Sequence, residues 1–230
     1  MPNFISCISL DQLYLLLVKV SDKLILPTLF TALGVVGALW YEDLGKPNLL
    51  LDDNSDDTLD GPIGSHYRRS LRVRVKNVPG KFSFVKRNTA MSCHGNIVFL
   101  DDDKKFISGP MPIRWADSPE PIKKQMNGTQ IITLPEYNLV RVSKFIDIPP
   151  DESELIDLAI RFKGETEAYG WCTDSYFKGN RHPDYELKRG FYYALITLFT
   201  GDSKFELPLV KISNPANFDY FGIEYFCIKK

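Results

Sequence analysis

Two hydropathy regimes divide the chain. Leu24 to Tyr41, LILPTLFTALGVVGALWY, has no charged residue in its 18 positions. As a helix rising 1.5 Å per residue it is about 27 Å long, close to the hydrocarbon thickness of a bilayer. Lys23 precedes it and Glu42 and Asp43 follow. Trp40 and Tyr41 stand at its end, where amphipathic rings favour the headgroup layer. The pattern predicts a transmembrane helix over 24–41. Ahead of it, FISCISLDQLYLLLVKV carries Asp11, Gln12 and Lys19. It reads as an interfacial helix over about 9–20 lying against the membrane. A helical hairpin is the alternative topology, opposed by roughly 2.5–3.5 kcal/mol for Asp11 near mid-bilayer. A cleavable signal ending after Ala38 would need a shorter leading region than the 23 residues present. Residues 1–45 are therefore expected to form membrane-anchoring helices.

From Arg68 onward the apolar period falls to two. In SLRVRVKN, Leu71, Val73 and Val75 point one way and Arg72, Arg74 and Lys76 the other, which predicts a half-buried strand. In LIDLAIRF, Ile156, Leu158, Ile160 and Phe162 alternate with Asp157, Ala159 and Arg161. FYYALITLFT, 191–200, is apolar on both faces, as expected of a central strand. The turn Gly201-Asp202 leads into KFELPLVKI, where Pro208 marks an edge strand or a bulge. Further strands are expected over 96–100, 130–134, 138–148 and 223–228. Pro149 to Glu152 reads as a turn between antiparallel neighbours. Lys163 to Arg189 lacks alternation and reads as a long loop rich in Gly, Tyr and Trp. Many short strands without intervening helices predict a mainly β fold, an antiparallel β-sandwich over 67–230, with a closed barrel as the alternative.

Residues 46–66 read as an acidic linker, or as a first strand at Leu49-Leu50-Leu51 plus a loop. The spacing of Asp52, Asn54, Asp56 and Thr58 is not an EF-hand, because Asp57 stands where the turn glycine is needed. Composition changes the picture little: 44% apolar and 25% charged residues are ordinary for a folded chain. The net charge of −1 gives no whole-chain pull toward nucleic acid.

LRVRVKN, NTAMSC, IRWAD, FIDIPP, IDLAI and FYYALITLFTGD together resemble a group of uncharacterised prokaryotic membrane-tethered proteins. In that group an N-terminal transmembrane helix is followed by K-P-x-L and one immunoglobulin-like β-sandwich. Lys46-Pro47-Asn48-Leu49 is similar to that juncture. The resemblance implies the immunoglobulin-like form of the sandwich and the tether; it implies no reaction.

The search for chemistry is sparse. Cys7, Cys93, Cys172 and Cys227 form no C-x-x-C pair. Cys93 and His94 are neighbours and would face opposite sides of a strand. Cys172, His182 and Asp184 share the long loop without a nucleophile signature around them. No phosphate-binding, dinucleotide, metalloprotease or nucleophile-elbow motif occurs. The expectation is no enzyme, no cofactor and no metal. Candidate partner contacts are Arg72, Arg74 and Lys76 on one strand face, with Tyr169, Trp171 and Tyr176 in the long loop. Trp115 is expected in the core. Gly34 and Ala38 have the small-xxx-small spacing that lets membrane helices approach, a route to a homo-oligomer. The expected function is a membrane-tethered binding module for a protein or small-molecule ligand, in contact with membrane lipid and not nucleic acid. The plasma membrane is its expected location. The alternative is a membrane effector, in which the sandwich senses a ligand, stress or phage signal and the helices oligomerise and perturb the bilayer.

Overall fold

The computed structural model describes Thr28 and residues 31–52, 57–63, 66–80, 87–127, 130–136, 144–201 and 203–225. The expected interfacial helix, the first residues of the apolar run, Cys7, Cys227 and positions 137–143 lie outside them. Two compact units divide the chain, 1–46 with 80–85, and Pro47–Pro79 with Lys86–Lys230.

In the first unit, helix α1 spans 31–45. Its apolar side chains face outward: Leu33, Val35, Val36, Leu39, Trp40 and Tyr41 are all more than half exposed. Gly34 has open space where a Cβ would stand. The Lys46 ammonium pairs with Asp43 at 2.9 Å beyond the last turn. Among the described residues no helix is long and apolar enough to cross a membrane.

The second unit is mainly β. Its strands begin with β1 (Leu49–Leu51), β2 (Asp57–Ile63), β3 (His66–Asn77), β4 (Ala90–Leu100) and β5 (Phe106–Pro112). There follow β6 (Arg114–Trp115), β7 (Ile122–Asn127), β8 (Gln130–Pro135), β9 (Ile146–Ile148), β10 (Ser153–Phe162) and β11 (Ala168–Gly170). After the short helix α2 (Thr173–Phe177) come β12 (Glu186–Leu187), β13 (Gly190–Thr200), β14 (Ser203–Glu206), β15 (Val210–Asn214) and β16 (Gly222–Tyr225). The first seven-stranded sheet runs β1-β3-β10-β11-β12, with β2 also on β3 and β6 also on β10. The second, also of seven strands, runs β16-β15-β13-β4-β5, with β14 on β13 and β9 on β4. All these pairings are antiparallel. β7 and β8 form a separate hairpin.

The two sheets share one core, which makes the architecture sandwich-like. Leu71, Val73 and Val75 of β3 and Trp115 of β6 lie in the same buried cluster as Ile97 and Phe99 of β4 and Ala194, Ile196 and Leu198 of β13. The Trp115 indole N–H donates to the Cys93 carbonyl at 3.3 Å, from the first sheet to the second. Alternation therefore predicts β3 correctly. The core face of β13 also follows it, and β13 is central, with β4 on one edge and β14 and β15 sharing the other. Its outer face at Leu195, Thr197 and Phe199 is only half-buried. Pro208 lies in the interruption between β14 and β15, where no ladder hydrogen bond is needed from its missing N–H.

Three local expectations change. Lys163 to Arg189 is built from β11, α2, a 3-10 turn at Pro183–Tyr185 and β12. Pro149 to Glu152 joins β9 to β10, and these strands belong to different sheets. The alternation in β10 breaks. Asp157 is opposite Arg72 and Ala159 opposite Leu71, so two steps on β10 match one step on β3. The β-bulge at Leu158 reverses which side chains face inward. Ile156, Leu158 and Ala159 join the shared core, whereas Ile160 and Phe162 join a second cluster with Trp171 and Tyr176.

Arg161, expected on a solvent face, is 1% exposed. Its Nε and Nη2 donate to the Glu165 carbonyl at 3.1 and 3.0 Å, and Nη2 to the Ala216 carbonyl at 3.0 Å. Its Nη1 donates to Asn214 Oδ1 at 2.9 Å and to the Pro215 carbonyl at 2.6 Å. All the guanidinium donors are thus filled, as a buried charge requires. Asn214 in turn donates to the carbonyls of Leu187 and Lys188 at 2.9 and 2.8 Å. This network ties β10 and β12 of one sheet to β15 of the other.

Gly95 on β4 is a close-approach position: a Cβ there would lie 2.1 Å from the Thr197 carbonyl oxygen of β13. Gly95→Ala is expected to cost about 1–3 kcal/mol through forced separation of the central pair, read as a lower urea midpoint; an unchanged midpoint would contradict this register. Burial pushes the Cys93 thiol up from 9.0 to about 11. Between those values the unfolded chain loses the proton first, so stability falls as pH rises through that window. Cys93→Ala should therefore lose less stability than the native chain between pH 8 and 10.5, measured by urea unfolding at both.

Candidate functional site

The bulge in β10 creates a second buried assembly on the outer face of the first sheet. On β3 the even-numbered side chains point away from the shared core, so Arg68, Ser70 and Arg72 stand in a row. Across from them β10 supplies Asp157, Ile160 and Phe162. β6 adds Arg114, whose neighbour Trp115 faces the core as adjacent strand residues must. Beyond β11, the Trp171 backbone N–H donates to the carbonyl of the bulge residue Leu158 at 3.0 Å. The bulge therefore also places the indole.

Helix α2 closes the assembly. Ser175 Oγ accepts from the Cys172 N–H at 3.2 Å and donates to the Gly170 carbonyl at 2.9 Å. A Cβ on Gly170 would lie 2.7 Å from Met111 Sδ and 3.0 Å from Phe99 Cε2, so a larger residue there would have to displace Met111 for β11 to keep this close approach to the second sheet. The turn fixed in this way stacks Tyr176 on Trp171, with ring centroids 6.0 Å apart. Burial pushes the Tyr176 phenol up to about 12.

Three guanidinium groups surround the Trp171 ring: Arg68 at 4.5 Å from its centroid, Arg114 at 5.5 Å and Arg72 at 5.9 Å. Arg114 also lies 5.1 Å from the Tyr176 centroid. One acid serves this group from inside. Asp157, fully buried, accepts from Arg72 Nε at 2.8 Å and from Arg114 Nη1. Burial pushes its carboxyl up, against the opposing pull of Arg114 and Arg72. Arg114 Nη2 also donates to the Ser118 carbonyl at 2.6 Å. Among the described residues Arg68 is in no ion pair with a carboxylate, and burial lowers its pKa from the usual guanidinium value.

Of the residues singled out in the sequence, Arg72, Trp171 and Tyr176 come together here, and Tyr169 packs against the same cluster. Trp171, expected at the surface, is 1% exposed, because the arginines and Tyr176 cover it. Arg74 and Lys76 lie farther along the face, near Ser153 at 3.5 Å and on Asp151 at 2.7 Å respectively. The acidic segment is partly strand, and Asp60 of β2 pairs with Arg69 at 2.7 Å.

No family model, curated protein or solved structure matches this chain. Its chemistry is therefore argued from the cluster itself. Cys172 is buried, its thiol 3.5 Å from Ser175 Oγ and pushed up by burial, the opposite of an activated nucleophile. His182 Nδ1 accepts from the Asp184 N–H at 3.3 Å and its ring lies tilted against Tyr185, centroids 4.6 Å apart. Among the described residues no group of His, Cys, Asp and Glu could hold a metal ion. What the arrangement can do is bind: it holds cations, aromatic faces and N–H donors in fixed positions.

Sequence reasoning missed Arg68, Ser70, Arg114 and Asp157 as members of this site. The four-residue interval between Arg68 and Arg72 does put both on one strand face. An acid inside the apolar run LIDLAI is the other available signal. Replacing Asp157 by Ala leaves two guanidinium groups buried without their carboxylate. The expected loss is about 3–5 kcal/mol in urea unfolding; a loss below about 1 kcal/mol would show that the pair is not buried as described.

Proposed function

We propose that the chain is a membrane-tethered, non-enzymatic binding module: an immunoglobulin-like β-sandwich held at a bilayer by its N-terminal apolar helix. The observation that carries the binding part is the arginine–aromatic cluster, fixed on a sheet face by a bulge, a glycine contact and the Ser175 turn. Preorganised donors lower the entropy cost of binding. Two antiparallel sheets with one shared core support the sandwich. The tether is supported by the uncharged run from Leu24 to Tyr41 and by the outward-facing apolar side chains of α1. Side chains of that kind on every side of a helix suit lipid better than water.

The test is membrane extraction. The full chain should sediment with membranes, resist alkaline carbonate and be released by detergent. Leu33→Lys with Leu39→Lys should move it to the soluble fraction, since each lysine costs roughly 2.5–3.5 kcal/mol at a helix centre. Recovery of the native chain in the soluble fraction would overturn the tether. Protease cleavage of the β unit in intact cells, as against cleavage only after lysis, then reads which side it faces.

A further inference from the structure

We infer that the Arg68–Arg114–Trp171 cluster is a binding site for a phosphate group. This rests on reading the sandwich as a binding module and names the chemistry of its ligand. Buried polar atoms in folded proteins are almost always hydrogen-bonded. In this cluster Arg68 Nε and Nη1, Arg114 Nε, Trp171 Nε1 and Ser70 Oγ are buried and have no partner among the described residues. Ser70, Arg114 and Trp171 are each at most 3% exposed. The arginine and indole nitrogens are donors only, so what completes them is an acceptor.

The charge balance gives the acceptor its class. Arg68, Arg72 and Arg114 face a single enclosed carboxylate, Asp157, which is already paired with the last two. The neighbouring Arg181 lies 3.9 Å from the Phe162 ring but has its own acid, Glu165, at 2.7 Å. Glu120 is the other acid that acts on Arg68, and it is exposed. Among the described residues, two positive charges inside the cluster are therefore uncompensated. A phosphate near neutral pH carries a charge of about −1.5 to −2 and matches that excess. A carboxylate carries one charge and leaves the other unanswered.

Geometry agrees. The open donors come from three separate elements, β3, β6 and the turn after β11. A tetrahedral oxyanion meets such donors better than a planar one. Asp157 orients Arg72 and Arg114 while leaving Arg114 Nε open. The face of Trp171 carries the Arg68 guanidinium at 4.5 Å from the ring centroid.

The phosphate belongs either to a lipid headgroup or to a soluble phosphorylated ligand. The test is calorimetric titration of the full chain, in a phosphate-free maltoside detergent, with inorganic phosphate. One phosphate per chain is expected, with acetate binding at least tenfold more weakly. Arg68→Gln should weaken phosphate at least tenfold. Arg74→Gln, on the same strand face beyond the cluster, should change it less than twofold. Ser70→Ala, a smaller perturbation, should weaken it about threefold, and far-UV dichroism checks that each variant keeps its β spectrum. No phosphate heat, equal affinity for acetate, or equal losses in Arg68→Gln and Arg74→Gln would overturn the inference. Phosphatidic acid in the micelles that competes with inorganic phosphate would assign the lipid source; absence of competition would assign the soluble one, and both stand with the site. Phosphate binding by a chain that extracts as soluble would sink the tether alone. A membrane-embedded chain without phosphate binding would sink the phosphate alone.

Discussion

One extra residue in β10 organises the molecule. The bulge at Leu158 sends Ile156, Leu158, Ala159 and Arg161 toward the second sheet and leaves Asp157, Ile160 and Phe162 on the outer face. Its carbonyl then receives the Trp171 N–H. If the same residues paired one-to-one with β3, without the bulge, strict alternation would put Ile160 and Phe162 in the shared core and Arg161 outside it. The clamp between the sheets and the cluster on the outer face would both be lost.

The two buried arginine assemblies solve the cost of a buried cation in opposite ways. Arg161 has every donor filled, by backbone carbonyls and Asn214, with no carboxylate among its partners. Its charge is met by fixed dipoles, which suits a structural joint. The outer cluster has more donors and more positive charge than its one aspartate can meet. A structural joint has no use for open donors, whereas a site of recognition needs them. That asymmetry, more than exposure or shape, separates the proposed binding face from the scaffold.

The acidic stretch after α1 also takes on a role in the fold. β1 and β2 lie end to end along one edge of β3, so the long strand that carries Arg68 to Lys76 is covered on both edges. Edge strands left open invite pairing with other chains. Covering β3 on both sides also holds its outward arginines in register with Asp157.

The sequence by itself determined the mainly β character of the chain, because period-two alternation in β3 and the apolar run of β13 each signal a strand without reference to neighbours. It determined the apolar character of the N-terminal region and the core position of Trp115. It also marked four of the residues gathered on the outer face, Arg72, Tyr169, Trp171 and Tyr176. Only the tertiary structure decided how β10 is registered, since a bulge depends on which β3 residue lies opposite and leaves no mark in the order of apolar and polar letters. For the same reason alternation put Asp157 and Arg161 together on the face opposite Ile160 and Phe162, whereas the two are buried on opposite sides of β10. Pairing across strands brings Arg68 and Arg114 from distant parts of the chain to one indole, and Arg114 to the Asp157 carboxylate. Their meeting is a property of register and closure, which act through space and not along the sequence.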